Sequence, residues 1–138
     1  HTKNVSKKEK KTNEVTSTTA VITAFNATKA QCGNNKGIGA WGDKVHVGIV
    51  AISRDLEKGG LIRNKLVYVQ GLGIKKVLDR TGNRTPRHLD MFMLKISDAK
   101  KFGKQKRKIY WVVKKGYTTQ QEKEILEKYA AADRGAGN

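Results

Sequence analysis

Four short stretches decide how this chain folds: VHVGIVAI at Val45 to Ile52, KLVYVQ at Lys65 to Gln70, LGIKKVL at Leu72 to Leu78 and HLDMFML at His88 to Leu94. Each is rich in β-branched and aliphatic residues and short enough to be a strand. Leu66 and Tyr68 alternate with Val67 and Val69, so the two pairs face opposite sides. Gly71 and Gly73 predict a tight reversal or bulge between the second and third runs. Outward from these, Val21 to Phe25 predicts a first strand, then Asn26 to Asn35 a polar, Gly-containing loop, and Lys108 to Val113 a last strand. Thr81 to Arg87 is polar and holds the only proline, Pro86. Ser97 is placed to cap a short helix through Phe102. Thr119 and Glu122 stand in capping-box register ahead of a helix from Thr119 to Ala132, whose single apolar stripe is Ile125, Leu126 and Tyr129. Such a stripe docks on the outside of the domain or on a partner and does not make a core helix. The spacing is that of a mainly β barrel or sandwich and not of a βαβ series.

The length of 138 residues with 37% hydrophobic content suits one domain and is too small for two cores. We divide it into a flexible basic leader at 1–19, a barrel domain at 20–115, and a C-terminal helix with a frayed tail at 116–138. The leader carries five Lys, two Glu and only Val5 and Val15 as sizeable apolar groups, too little to offset its ordering entropy. Lys and Arg number 29 against 12 Asp and Glu, a net charge of +17 that points to a polyanionic partner. No apolar run approaches the roughly 20 residues of a membrane-spanning helix. A lone Cys32 forms no intramolecular disulfide and no multi-cysteine zinc site, and His46 and His88 lack partners at ligand spacing. No metal or cofactor is expected. The chain starts at His1 without an apolar signal-like region, and a signal or anchor is expected outside this segment.

Against so basic a background the carboxylates are informative. Glu9, Glu14, Glu122, Glu124 and Glu127 fall in the leader or on a polar helix face. Three others do not. Asp55 and Asp79 end predicted strands, and Asp90 lies inside the apolar run Leu89, Met91, Phe92, Met93, Leu94. An acid so flanked is either paired or held with a raised pKa. The residues alone favour structural readings: a turn acid at Asp79, half of an ion pair with Arg54 at Asp55 and a backbone-satisfied acid at Asp90.

The segments from Gly48 to Asp55, Val67 to Gly73, Val77 to Arg80 and His88 to Phe92, with the upstream Val21 to Thr28 and Gly37 to Gly42, resemble the bacterial 3D domain, named for three aspartates. The resemblance spans roughly Val21 to Lys114 and sets the acids 24 and 11 residues apart in matching strand contexts. It implies a six-stranded double-psi β-barrel, with one short helix and a C-terminal helix here, similar to lytic transglycosylases of the membrane-bound A type, rare lipoprotein A and, more distantly, expansins. The chain departs from the family's pattern after the first acid, with Leu56 to Gly60, and after the second, with Arg80 to Gly82.

The activity so implied is non-hydrolytic cleavage of the β-1,4 bond after N-acetylmuramic acid in peptidoglycan, giving 1,6-anhydro-muropeptides. One acid protonates the leaving oxygen and then, as carboxylate, takes the proton of the sugar's 6-hydroxyl, which requires a pKa near neutrality. Asp90 is the expected general acid/base, with Asp79 and Asp55 converging on the same cleft to hold sugar hydroxyls or developing charge. Trp41, His88, Arg80 and Lys44 are the substrate-binding candidates. The alternative is a non-catalytic, expansin-like glycan-binding module. The expected partners are peptidoglycan glycan strands and other anionic wall polymers, the expected state a monomer, and the expected location secreted, periplasmic or wall-associated. Between Lys95 and Lys115, nine Lys and Arg against Asp98, interleaved with Phe102, Tyr110 and Trp111, leave nucleic acid as a lower-ranked partner.

Overall fold

In the computed structural model, which describes residues 14–26, 41, 48–82 and 84–136, six strands close into one barrel of mixed direction. The strands are β1 (Val15–Phe25), β2 (Ile49–Ile52), β3 (Leu66–Val69), β4 (Gly73–Arg80), β5 (His88–Phe92) and β6 (Gln105–Val112). Their order around the barrel is β1-β5-β2-β4-β3-β6. The β1/β5 and β2/β4 pairs are parallel, and the other ladders are antiparallel. Closure leaves none of the short strands with an unpaired edge.

Alternation along the strands sorts side chains to two sides. Ile22, Val50, Ile52, Val67, Val69, Val77, Leu89, Met91 and Ile109 fill the interior. Leu66 and Tyr68 point outward, where they are covered with Val15 and Val112 by the C-terminal helix. With both faces of β3 covered, its four residues are all buried, which is why LVYV reads as a continuous apolar run. That helix, α3 (Thr119–Ala136), presents Leu126, Ala130, Ile125 and Tyr129 to the barrel, as its stripe predicts. Two short helices, α1 (Arg54–Lys58) and α2 (Ile96–Phe102), complete the fold. The first was not foreseen from the sequence.

Several boundaries move. β1 starts at Val15, so residues 15–19, assigned to the flexible leader, pair with Val112 through Lys108 and belong to the barrel. Ser17 and Thr19 face solvent while Thr16 and Thr18 are half-buried and Ala20 is buried in the interior, an alternation in which hydroxyl residues hide the strand; Val15, on the outer face, is buried under the C-terminal helix. Residues 1–13 lie outside the described residues. α2 begins after Lys95, whose side chain makes no capping bond, and Ser97 is inside the helix rather than its cap. The capping box of α3 sits one residue early. Thr118 Oγ1 accepts the Gln121 N–H at 3.1 Å and Gln121 Oε1 accepts the Thr118 N–H at 2.8 Å. Glu122 is released to pair with Lys65 at 2.7 Å across to the barrel. α3 also continues through Ala136, past the expected fray at Arg134.

Truncating the fully buried Leu126 to Ala is expected to cost about 2–5 kcal/mol in urea unfolding, and Thr118→Ala about 1 kcal/mol. Ser97→Ala, which removes no cap, should stay within about 0.5 kcal/mol of the parent.

Candidate functional site

Ala51 on β2 is the rung on which two of the acids meet. It pairs with Asp90 of β5 on one side and with Asp79 of β4 on the other, and residues paired across a ladder share a face. For Asp79 this requires a correction of phase. Val77 points into the barrel opposite Val50, and strict alternation would send Asp79 inward as well. The register shifts between Val50 and Ala51, leaving Leu78 as an extra residue on β4, and this bulge turns Asp79 out beside Ala51.

Asp90 is held by β1. Thr23 is its register partner in the parallel β1/β5 ladder, and Thr23 Oγ1 donates to Asp90 Oδ1 at 2.8 Å. The same hydroxyl lies 2.7 Å from His88 Nε2, two residues before Asp90 on β5. A hydroxyl has one proton to give, so while Thr23 donates to the carboxylate, Nε2 must carry the hydrogen toward Oγ1. When Asp90 is protonated, the chain can run the other way. Burial pushes the Asp90 pKa up to about 6; the Thr23 bond opposes that rise and the charge of Asp79 adds to it. Burial, with a smaller contribution from Lys104, lowers the pKa of His88, which favours the neutral ring near pH 7. Leu89 and Met91 point into the barrel, so the neighbours that desolvate Asp90 are those across the ladders and not those beside it in sequence.

Asp55 stands apart. It follows Ser53 into the first turn of α1, and Ser53 Oγ donates to its Oδ1 at 2.5 Å while the Arg87 N–H donates to its Oδ2 at 2.9 Å. Ser53 Oγ also accepts the His88 N–H at 3.0 Å. Burial disfavours its charge, but the bonds from Ser53 and from the Arg87 and Leu56 N–H groups outweigh that and hold its pKa below the ordinary carboxylate value. Its cavity, of about 580 Å³, is lined by Ser53, Arg54, Gly82, Arg84, Thr85 and Pro86, and by neither Asp79 nor Asp90. The structure thus brings Asp79 and Asp90 to one rung, and Asp55 connects to Asp90 through Ser53, His88 and Thr23.

The binding candidates divide in the same way. Arg80 gives its guanidinium to Glu57, Nε to Oε1 and Nη2 to Oε2, both at 2.8 Å, and lies 4.9 Å over the Trp41 ring. One face of Trp41 is therefore covered, while the ring also packs on the core. Asp79 Oδ1 accepts the Arg80 N–H at 2.8 Å. Lys44, with Cys32 and His46, lies outside the described residues. In the basic 95–115 segment, Trp111 is buried in the barrel, Phe102 packs against it, and Tyr110 stacks between Tyr68 and Tyr129. None of the three offers an open stacking platform for a base, which removes the main support for a nucleic-acid surface there.

Thr23, Ser53 and Glu57 were missed in the sequence. Thr23 and Ser53 are small hydroxyl residues whose importance is set by register, and the only trace of Glu57 was its position three residues after Arg54 in a basic chain. Among the described residues no group of three or more His, Cys, Asp or Glu gathers as metal ligands do, and no helix is long and apolar enough to cross a membrane.

No family model and no curated protein matches the chain. Among solved structures, the apo form of an expansin from Clavibacter michiganensis is similar at 17% identity, with a TM-score of 0.49 over 75% of this chain and 53% of that one. A mutant of the Clavibacter michiganensis expansin in complex with cellohexaose is similar at 19% identity and a TM-score of 0.48, with the same coverage. The chain spans about half the length of these proteins.

The folded Asp90 pKa of about 6 lies above its ordinary 3.8, so folding binds its proton more tightly. Its contribution to stability is complete below pH 3.8 and is lost as pH rises through about 6, a span worth roughly 3 kcal/mol. Asp90→Asn should flatten the urea-unfolding stability between about pH 4 and 6, where the parent declines. Asp55, lowered rather than raised, contributes in the opposite sense, and only at more acid pH.

Proposed function

We propose that this barrel is a cell-wall glycan-binding module whose sugar-contacting face is centred on Asp90. The observation that carries the proposal is the rung itself: a partly buried carboxyl, oriented by Thr23 and His88, with Asp79 beyond Ala51 on the same face. Carboxylates and hydroxyls held rigidly on strands suit the vicinal hydroxyls of a pyranose, because little ordering remains to be done on binding. The resemblance of the surrounding segments to the 3D domain supplies the polymer, peptidoglycan.

The binding reading needs only this face. A three-acid catalytic cleft is less well supported, since Asp55 is held as an anion by Ser53 and Arg87 in a separate cavity. One observation favours the second reading, lytic transglycosylation. Asp90 has a pKa of about 6, in the range where a single carboxyl can give a proton to the leaving oxygen and reclaim one from the 6-hydroxyl. Between those steps the Thr23 hydroxyl would donate to the carboxylate that has given up its proton.

Incubation with purified peptidoglycan separates the two. The binding module co-sediments with the sacculi and releases nothing, and Asp90→Ala weakens co-sedimentation by about tenfold or more through loss of charged hydrogen bonds. Release of anhydro-muropeptides, reduced by about 10² to 10⁴ in Asp90→Asn with binding retained, establishes the catalytic reading instead. Failure to co-sediment and to release product overturns both.

A further inference from the structure

The loop entering β5 forms a strap between two cavities. On one side is the cavity of about 580 Å³ at Arg54 and Arg84, and on the other a cavity of about 240 Å³ lined by Thr19, Val21, Arg87 and Lys106. Thr85 and Pro86 line both, so the two cavities adjoin at the strap, one on each side, and are treated together as one groove with two lobes. The strap is fixed at Arg87, whose N–H binds Asp55 at 2.9 Å and whose carbonyl accepts the Val21 N–H at 2.8 Å, and whose φ of 45° is one few side-chain-bearing residues adopt. The groove is therefore formed before any ligand arrives.

Its chemistry is cationic and hydroxylated. Arg54, Arg84, Arg87 and Lys106 are exposed, and none of the ion pairs among the described residues engages them. Arg54 shares its field with Glu57. Against these cations the groove carries one carboxylate, Asp55, already committed to Ser53 and the Arg87 N–H. Thr85 and Thr19 add hydroxyls, while that of Ser53 is committed to Asp55 and the His88 N–H. Among the described residues no aromatic side chain lines either lobe, so these residues supply positive charge for phosphates and hydroxyls for polyols but no platform on which a base would stack.

We infer that this groove binds a linear polyol phosphodiester, the chemistry of anionic wall polymers, at a site separate from the Asp90 face. The two lobes take successive phosphates, Arg84 on one side of the strap and Lys106 on the other, while Thr85 sits between them to meet the polyol.

The test is fluorescence anisotropy with labelled poly(glycerol phosphate) oligomers at about 50 and 200 mM salt. The double variant Arg84→Gln/Lys106→Gln should lose at least tenfold in affinity, with a log K against log salt slope shallower by about two. The charge-matched double Lys123→Gln/Lys128→Gln, on the exposed face of α3, should stay within about twofold. Circular dichroism and thermal melting of both doubles report whether the barrel is intact, and Arg84→Lys/Lys106→Arg, which keeps the charge, should restore most of the affinity. Asp90→Asn should bind the oligomer as the parent does, which keeps this outcome distinct from failure of the glycan reading. Equal losses in the two double variants overturn the inference, as does equal binding of poly-glutamate, and tighter binding of a single-stranded oligonucleotide of the same charge identifies the groove as a nucleic-acid surface instead.

Discussion

β1 is the strand on which the rest depends, because one of its ladders closes the barrel against β6 and the other holds β5, the strand of Asp90. Val15 to Ile22 pairs antiparallel with β6, and Val21 to Phe25 pairs parallel with β5. Without it the edges of β5 and β6 would stand open and the interior would lose Ile22. The second ladder is also the one that seats Thr23 opposite Asp90. Barrel closure and the ordering of the Asp90 carboxyl are thus one event, and a chain that failed to close would leave that acid solvated with an ordinary pKa.

The legible part of this fold was the part written in apolar residues. β2 to β5 and the helix stripe were all visible, β2 and β3 as short apolar runs buried on both faces and the helix by its docking stripe. Val15 to Ala20 was not, since Thr16, Ser17, Thr18 and Thr19 carry no hydrophobic signal while their backbone pairs as fully as any. The importance of Asp90 was read for an imperfect reason. Leu89 and Met91 flank it in sequence but face the barrel, and the desolvation comes from neighbours that only the ladder register supplies. The Leu78 bulge was equally hidden, because an extra residue leaves no compositional mark, yet without it Asp79 would not share a face with Asp90. The expected convergence of all three acids rested on the resemblance to the 3D domain and on the scarcity of acids in so basic a chain, and neither carries information about where α1 begins.

Two aspartates in this chain are driven in opposite directions by the same small set of interactions. Asp55 receives a hydroxyl and two backbone N–H groups, and their sum exceeds the cost of burying its charge. Asp90 receives one hydroxyl, lies deeper, and faces a second carboxylate. One donor does not offset burial plus repulsion. The balance of burial against the hydrogen bonds each carboxylate accepts, more than the sign of the surrounding protein, decides the outcome. The large positive charge of the chain does little to change this, because lysines on the exposed positions of β6 act through solvent and are screened over about 8 to 10 Å.

That contrast assigns Asp55 a mechanical task. Its two oxygens hold Ser53 and the Arg87 N–H, and Ser53 in turn holds the His88 N–H, so consecutive amides at the entrance of β5 are tied to the start of α1 through one carboxylate. The tie fixes the strap on one side and the His88 ring on the other. His88 then reaches Thr23, and Thr23 reaches Asp90. A neutral Asp55 would accept the Arg87 N–H more weakly and would loosen the wall of the cationic groove and the orientation of His88 together. An acid that must remain charged to hold this junction needs the low pKa it has, just as an acid that trades protons with a sugar would need the raised one found at Asp90.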